Sequence, residues 1–300
     1  FGEVVLGSDA VKDAPPSSGL VATGRTGALD AMEWITVARG GGGEGDGLAL
    51  RHIDVTAERL LMIGSVFPDT RLQLAPAQQA LAVSLDGDAL SGALLVPDAK
   101  GAPIAGKLAR VHWRKAPVDG APTAGPGARS ATDDIDPAAV PPLSLDVEDL
   151  RFGDARLGTA KLRTRQQADG LHVDQLQLRS PGQQIDVHGQ WTGTGTAART
   201  RFAAEVKSEN FGVLFDDLGL GDRVGGGHDG RITADAGWPG SPAAFRLAAL
   251  DGSVKLAVRD GHLLEVEPGA GRVLGLLSVA EVRRRLMLDF SDFFSKGFAF

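Results

Sequence analysis

Short runs of alternating apolar and polar residues, separated by Gly, Pro and Asp-Gly pairs, fill most of this chain. Alternation at period two puts apolar side chains on one face of an extended segment, and turn residues at close intervals mark a sheet rather than a bundle. The clearest runs are Leu48–Ala57, Arg59–Val66, Thr70–Ala75, Leu81–Asp86, Ala89–Val96 and Ile104–Trp113, punctuated by Gly64, Asp86-Gly87 and Pro97-Asp98. No helical pattern of ten or more residues separates them, which argues against a parallel sheet built from strand–helix–strand units. Upstream, Phe1–Leu6 and Leu20–Thr26 read as strands. Ala28–Arg39, with Leu29, Met32 and Ile35, reads as a helix that the glycines from Gly40 to Gly47 terminate.

Ala116–Pro142 is rich in Pro, Gly, Ala and Asp and almost free of large apolar side chains. Such a segment cannot bury enough surface to offset its conformational entropy, so a loose loop or linker is predicted there, dividing segments 1–115 and 143–300. Strands then resume: Leu143, Leu145 and Val147 alternate with polar neighbours, and so do Ile185, Val187 and Trp191, and Val254, Leu256 and Val258. Leu171 and Val173 lie on one parity and Leu176 and Leu178 on the other, which predicts a bulge near Gln175. Phe211, Leu214, Phe215 and Leu218 fall at i, i+3, i+4 and i+7 between Asn210 and Gly219, the pattern of a short amphipathic helix over 210–218. Asp260-Gly261 reads as a hairpin turn. After Pro268 the spacing predicts short helices over 271–286, with Ser278 and Glu281 as a capping box.

A net charge of −7 with no basic tail weighs against nucleic acid as a partner. The absence of cysteine excludes disulfides and thiolate chemistry. No apolar run reaches the ~18 residues of a spanning helix. Phe1 and Phe300 both read as cuts in a longer protein, with any anchor outside this chain. The six histidines are dispersed, and only His172 and His188, on neighbouring strands, are candidates to meet. The glycines at 269, 271 and 275 lack the spacing and the Lys-Ser/Thr of a phosphate loop. No nucleophile motif is present. No catalytic residue, metal site or cofactor is therefore expected, and the chain reads as non-enzymatic.

The stretch Leu264–Ser278, with Arg284-Arg285-Leu286, Leu288–Asp292 and Lys296-Gly297-Phe298, resembles the C-terminal signature of the YhdP branch of the AsmA-like proteins. Gly237-Trp238-Pro239-Gly240-Ser241-Pro242 is similar to a second segment of that family. The resemblance implies a bacterial envelope protein, anchored in the inner membrane, that moves phospholipid towards the outer membrane. The fold expected is mainly β: an elongated, curled antiparallel sheet with a few short amphipathic helices and an open hydrophobic groove.

An apolar sheet face must be covered by a second sheet, by helices or by a ligand. Few helices are available here, which favours the groove. Its candidate acyl-chain contacts are Leu143, Leu145, Val147, Ile185, Val187, Val254, Leu256 and Val258, whose strand neighbours are polar. Arg283, Arg284 and Arg285 are candidates for a headgroup phosphate. The alternative is a closed β scaffold that binds envelope proteins.

Overall fold

The computed structural model describes residues 2–7, 20–38, 50–62, 65–113, 136–153, 155–210, 224–242 and 249–263. Its strands are β1 (Gly2–Leu6), β2 (Leu20–Thr26), β3 (Leu29–Asp30), β4 (Leu50–Met62), β5 (Ser65–Ala77), β6 (Ala80–Asp86), β7 (Leu90–Pro97) and β8 (Ile104–Trp113), followed by β9 (Leu143–Phe152), β10 (Ala155–Gln167), β11 (Gly170–Ser180), β12 (Gln183–Thr192), β13 (Arg199–Asn210), β14 (Val224–Pro239) and β15 (Asp251–Leu263). One α-helix, α1 (Ala31–Ala38), is present among the described residues. The strands form a 15-stranded sheet in sequence order from β1 to β15, with β3 set aside against β4. Its two end strands do not meet, so the sheet is not closed.

The chain is mainly β, but the sheet is mixed rather than wholly antiparallel. β1 pairs parallel with β2, β2 and β3 with β4, and β8 with β9. Parallel neighbours need a long crossover connection. The glycine-rich stretch between β2 and β4 and the Pro/Ala-rich stretch between β8 and β9 supply that length. The described end of the second stretch is structured: Pro137–Ala139 form a 3₁₀ turn, Asp136 accepts from the Ala138 N–H, and Pro137 is buried. The strands on either side of this segment are therefore neighbours.

Contacts divide the chain into two units, the first Phe1–Ala116 with Pro141–Gly153 and Thr159–Arg163, the second Pro117–Val140 with Asp154–Gly158 and Thr164–Phe300. In the first unit, Asp30 caps α1: its Oδ1 accepts from the N–H of Met32 at 2.8 Å and of Glu33 at 3.2 Å. The helix thus starts at Ala31, with Leu29 and Asp30 left to pair with β4. It buries Ala31 and Ile35 on the core that the strands build.

The runs Leu48–Ala57 and Arg59–Val66 are not two strands, because β4 continues through the break. Ile53, Val55 and Ala57 are buried, then Leu60 and Met62, so the buried parity changes at Glu58. Opposite it, β5 changes parity between Phe67 and Thr70, where Asp69 takes a φ of 41°. The paired irregularities keep one face apolar along both strands.

Cross-strand register then assembles two apolar rows, Ala22–Ile53–Leu74–Val83–Leu94–Gly106–Leu145 and Gly24–Val55–Leu72–Leu85–Gly92–Leu108–Val147. At Gly106 the Leu94 and Leu145 methyls reach over the backbone and fill the space that a side chain would occupy. The Phe67 ring on β5 meets the Trp113 ring on β8 edge-on, with centroids 6.4 Å apart. Three strand spacings of about 4.8 Å separate those strands in a flat sheet. The sheet of this unit accordingly curls onto its own apolar face, and Ile53, Leu60, Phe67, Leu72, Leu74 and Leu90 are fully buried there.

In the second unit, β15 runs straight through Asp260-Gly261 instead of turning, and Gly261 pairs with Gly226 of β14. Gly225 and Gly226 stand opposite His262 and Gly261. The helix predicted over 210–218 falls on residues outside the described ones, apart from Asn210, which ends β13 and pairs with His228. The helices predicted over 271–286 also fall outside them.

Candidate functional site

Four rows of strand positions cross β11 to β14 in register, and three of them continue onto β15. They are Leu178–Ile185–Val206–Ile232–Leu256, Leu176–Val187–Ala204–Ala234–Val254, Val173–Gly189–Phe202–Ala236–Gly252 and Leu171–Trp191–Thr200–Trp238. Only Thr200 is polar. The register shifts between Val173 and Leu176, the bulge predicted near Gln175, and this keeps all four leucine and valine positions of β11 on the same face. Ile185, Val187, Leu256 and Val254 are thus brought into two adjacent rows. Val258 lies beside the β14/β15 irregularity and outside these rows.

This face differs from that of the first unit. Leu176, Leu178, Ile185, Val187, Phe202, Val206, Ile232 and Trp238 are each half-buried, whereas Trp191 is buried. The apolar side chains keep solvent-accessible area along most of each row. In the first unit Leu143, Leu145 and Val147 face the same way as Ile104, Gly106 and Leu108, and Val147 packs against the closed core.

The opposite face of β11 to β15 is polar. Its rows are Arg179–Gln184–Lys207–Arg231–Ala257 and Gln177–Asp186–Glu205–Thr233–Lys255. Glu205 holds Arg231 at 3.1 Å and Lys207 at 3.4 Å. Burial works against ionisation of Asp186, yet the amides of Gln177 and Gln184 donate to it and, with Arg179 and Lys207 nearby, hold its pKa below the ordinary value. His172 and His188 have separate partners: His172 sits 3.0 Å from Asp169 Oδ1, and His188 Nδ1 donates to the Asp174 carbonyl at 2.6 Å. Among the described residues no three His, Asp or Glu side chains are placed to hold a metal.

Two further carboxyls in the first unit are held low. The Arg71 guanidinium bonds Asp54 through two nitrogens, each at 2.6 Å. His112 lies 2.7 Å from Asp149, which Arg151 also bonds at 3.0 Å. A carboxyl whose folded pKa is depressed contributes stability that is present above its unfolded value, about 4, and is lost as pH falls through the folded value. The melting temperature is therefore expected to hold down to about pH 5 and to fall at lower pH, less steeply in Asp54→Asn. An unchanged melting temperature down to about pH 3 would contradict this.

Sequence reasoning missed half of this face. Leu176, Leu178, Val206, Ile232, Phe202 and Trp238 join it only through register between strands, which alternation within one strand does not report. The signal available was their parity relative to Arg179, Lys207 and Arg231. Arg283, Arg284 and Arg285 lie outside the described residues, and the side chains of Val254, Leu256 and Val258 are likewise not described. No described helix is long and apolar enough to cross a membrane.

The family described as YhdP protein matches the chain over residues 1–300. The intermembrane phospholipid transporter YhdP of Escherichia coli (strain K12) is 26% identical over 117 residues, which are 39% of this chain and 9% of that protein. No solved structure matches the chain. With the match running its whole length, the chain belongs to the YhdP family.

Proposed function

We propose that this chain is a non-enzymatic lipid-transfer module that shields phospholipid acyl chains on the apolar face of β11 to β15, as part of a protein moving phospholipid between inner and outer membranes. The observation that carries the proposal is the two-faced sheet of the second unit. It has four apolar rows with half-buried side chains on one side and an ion-paired, hydrogen-bonded surface on the other. Transfer of hydrocarbon onto such a face is favourable by ~0.8 kcal/mol per buried CH₂. Successive rows of similar chemistry offer similar sites, so a chain can move along them without a deep trap. The similarity to a phospholipid transporter supports the same reading.

On this proposal Ile185, Val187, Val254, Leu256 and Val258 contact acyl chains, and Arg283, Arg284 and Arg285 are available to headgroup phosphate. Leu143, Leu145 and Val147, on the apolar face of the first unit, are the corresponding candidates there. There, the burial of Phe67, Leu72 and Leu74 favours the second reading, a closed β scaffold that supports the carrier and meets envelope proteins. We place the chain in the periplasmic part of an envelope protein anchored in the inner membrane by a segment outside this sequence.

Mass spectrometry of a solvent extract of the purified chain tests the proposal. Phospholipid is expected in near-stoichiometric amount. A folded protein that carries none, and takes up none from phospholipid vesicles, would overturn it.

A further inference from the structure

We infer that one end of the second unit's apolar face is a polar subsite that receives the ester carbonyls of an acylated ligand, with Trp191 and Ser241 as its hydrogen-bonding groups. The inference rests on the lipid-carrying reading above and specifies where the polar part of the lipid sits.

Trp191 is 6% exposed and Ser241 is 2% exposed, and among the described residues neither Trp191 Nε1 nor Ser241 Oγ has a hydrogen-bond partner. The other two such groups among the described residues, Glu3 Oε2 and Trp113 Nε1, belong to the first unit. Buried polar groups are normally paired, and an orphaned one asks for an absent partner. The neighbours cannot serve. Thr200, opposite Trp191, donates its hydroxyl to the Gly240 carbonyl at 2.9 Å. Trp238, opposite Thr200, donates its indole N–H to the Ser241 carbonyl at 2.9 Å. These two bonds fold the chain after β14 back over the end of the Trp191–Thr200–Trp238 row, which places Ser241 at the same end as Trp191.

An indole N–H only donates, while a serine hydroxyl both donates and accepts. The missing group must therefore bring an acceptor, and ester carbonyl oxygens qualify. Indole also suits a boundary where apolar surface meets polar groups. From Trp191 the apolar positions of β12 continue through Gly189 and Val187 to Ile185. Six residues of strand cover about 20 Å. Half of a ~30 Å hydrocarbon core, one leaflet, is about 15 Å. One acyl chain thus fits along β12 with its ester at the Trp191 end.

The test incubates the 300-residue chain with vesicles of diester phosphatidylethanolamine, and separately of its diether analogue with the same chains, and measures retained lipid. The diether keeps chains and headgroup but lacks the carbonyls. The parent chain is expected to retain the diester over the diether by roughly three- to tenfold, the scale of one net hydrogen bond. Trp191→Phe and Ser241→Ala should each bring that ratio towards one. Should Trp191→Phe unfold, Ser241→Ala, which removes one oxygen, carries the test. Equal retention of both lipids by the parent overturns the subsite and leaves the carrier reading standing. Retention of neither overturns the carrier reading itself.

Discussion

Phe67→Ala is expected to destabilise the fold by about 3–5 kcal/mol, the usual cost of emptying a phenylalanine site in a packed core. Phe67 is 0% exposed, and its ring meets the edge of Trp113. The loss therefore has two parts: the transfer and cavity terms of a large side chain, and an aromatic pair worth about 0.5–1.5 kcal/mol beyond its area. The pair also links β5 to β8 across two intervening strands, so its removal weakens the curl that closes this face. Val206→Ala, on the half-buried face of the second unit, removes fewer contacts and should cost about 1 kcal/mol or less. Urea unfolding of the two variants, read for a shift in midpoint at constant slope, checks the difference. Equal losses at the two positions would mean that the two faces are packed alike.

That contrast between faces is what the sequence could not express. Val, Ile and Leu alternate with polar residues in both units, and alternation reports which face is apolar without reporting what lies over it. Local chemistry was legible. The turn signals at Asp86-Gly87 and Pro97-Asp98 fall at the ends of β6 and β7, as read. The opposed parities of Leu171/Val173 and Leu176/Leu178 gave the bulge correctly. A similar parity change at Glu58 reads as a strand break in the sequence, because one strand alone does not show that Asp69 opposite makes a matching change. Asp260-Gly261 has the composition of a turn, yet it extends β15 because the glycines at 225 and 226 across from it also accept an extended, paired conformation. Parallel pairing of β8 with β9 was out of reach for the same reason: Ala116–Pro142 looks like a boundary whether it separates two domains or crosses between neighbouring strands. The candidate site followed this rule. Ile185 and Val187 were legible from their own strand, whereas Leu178, Val206 and Ile232 enter the row only through long-range register.

Val187→Asp is expected to abolish copurified phospholipid, by tenfold or more, while the protein stays folded. Val187 lies between Leu176 and Ala204 in the centre of the apolar face and is half-buried, so water reaches the site when no lipid covers it. A carboxylate there stays hydrated in the empty protein and costs the fold about 1–2 kcal/mol, the range of an ordinary substitution. With an acyl chain laid over it, the same carboxylate loses its water and gains no partner, because the charged residues of this sheet stand on the other face. Burying an unpaired charge is far more costly than the ~1.4 kcal/mol that corresponds to a tenfold loss of binding. Ala257→Asp is the matching control: Ala257 is exposed, lies opposite Arg231 and belongs to the polar face, so its carboxylate should leave bound lipid unchanged. Both variants are read by lipid mass spectrometry together with thermal unfolding. Lipid lost from Val187→Asp and kept by Ala257→Asp, with both folded, places the acyl chains on the apolar rows. Unfolding of Val187→Asp on the scale expected for Phe67→Ala would instead make this face a closed core, and the scaffold reading would then extend to both units.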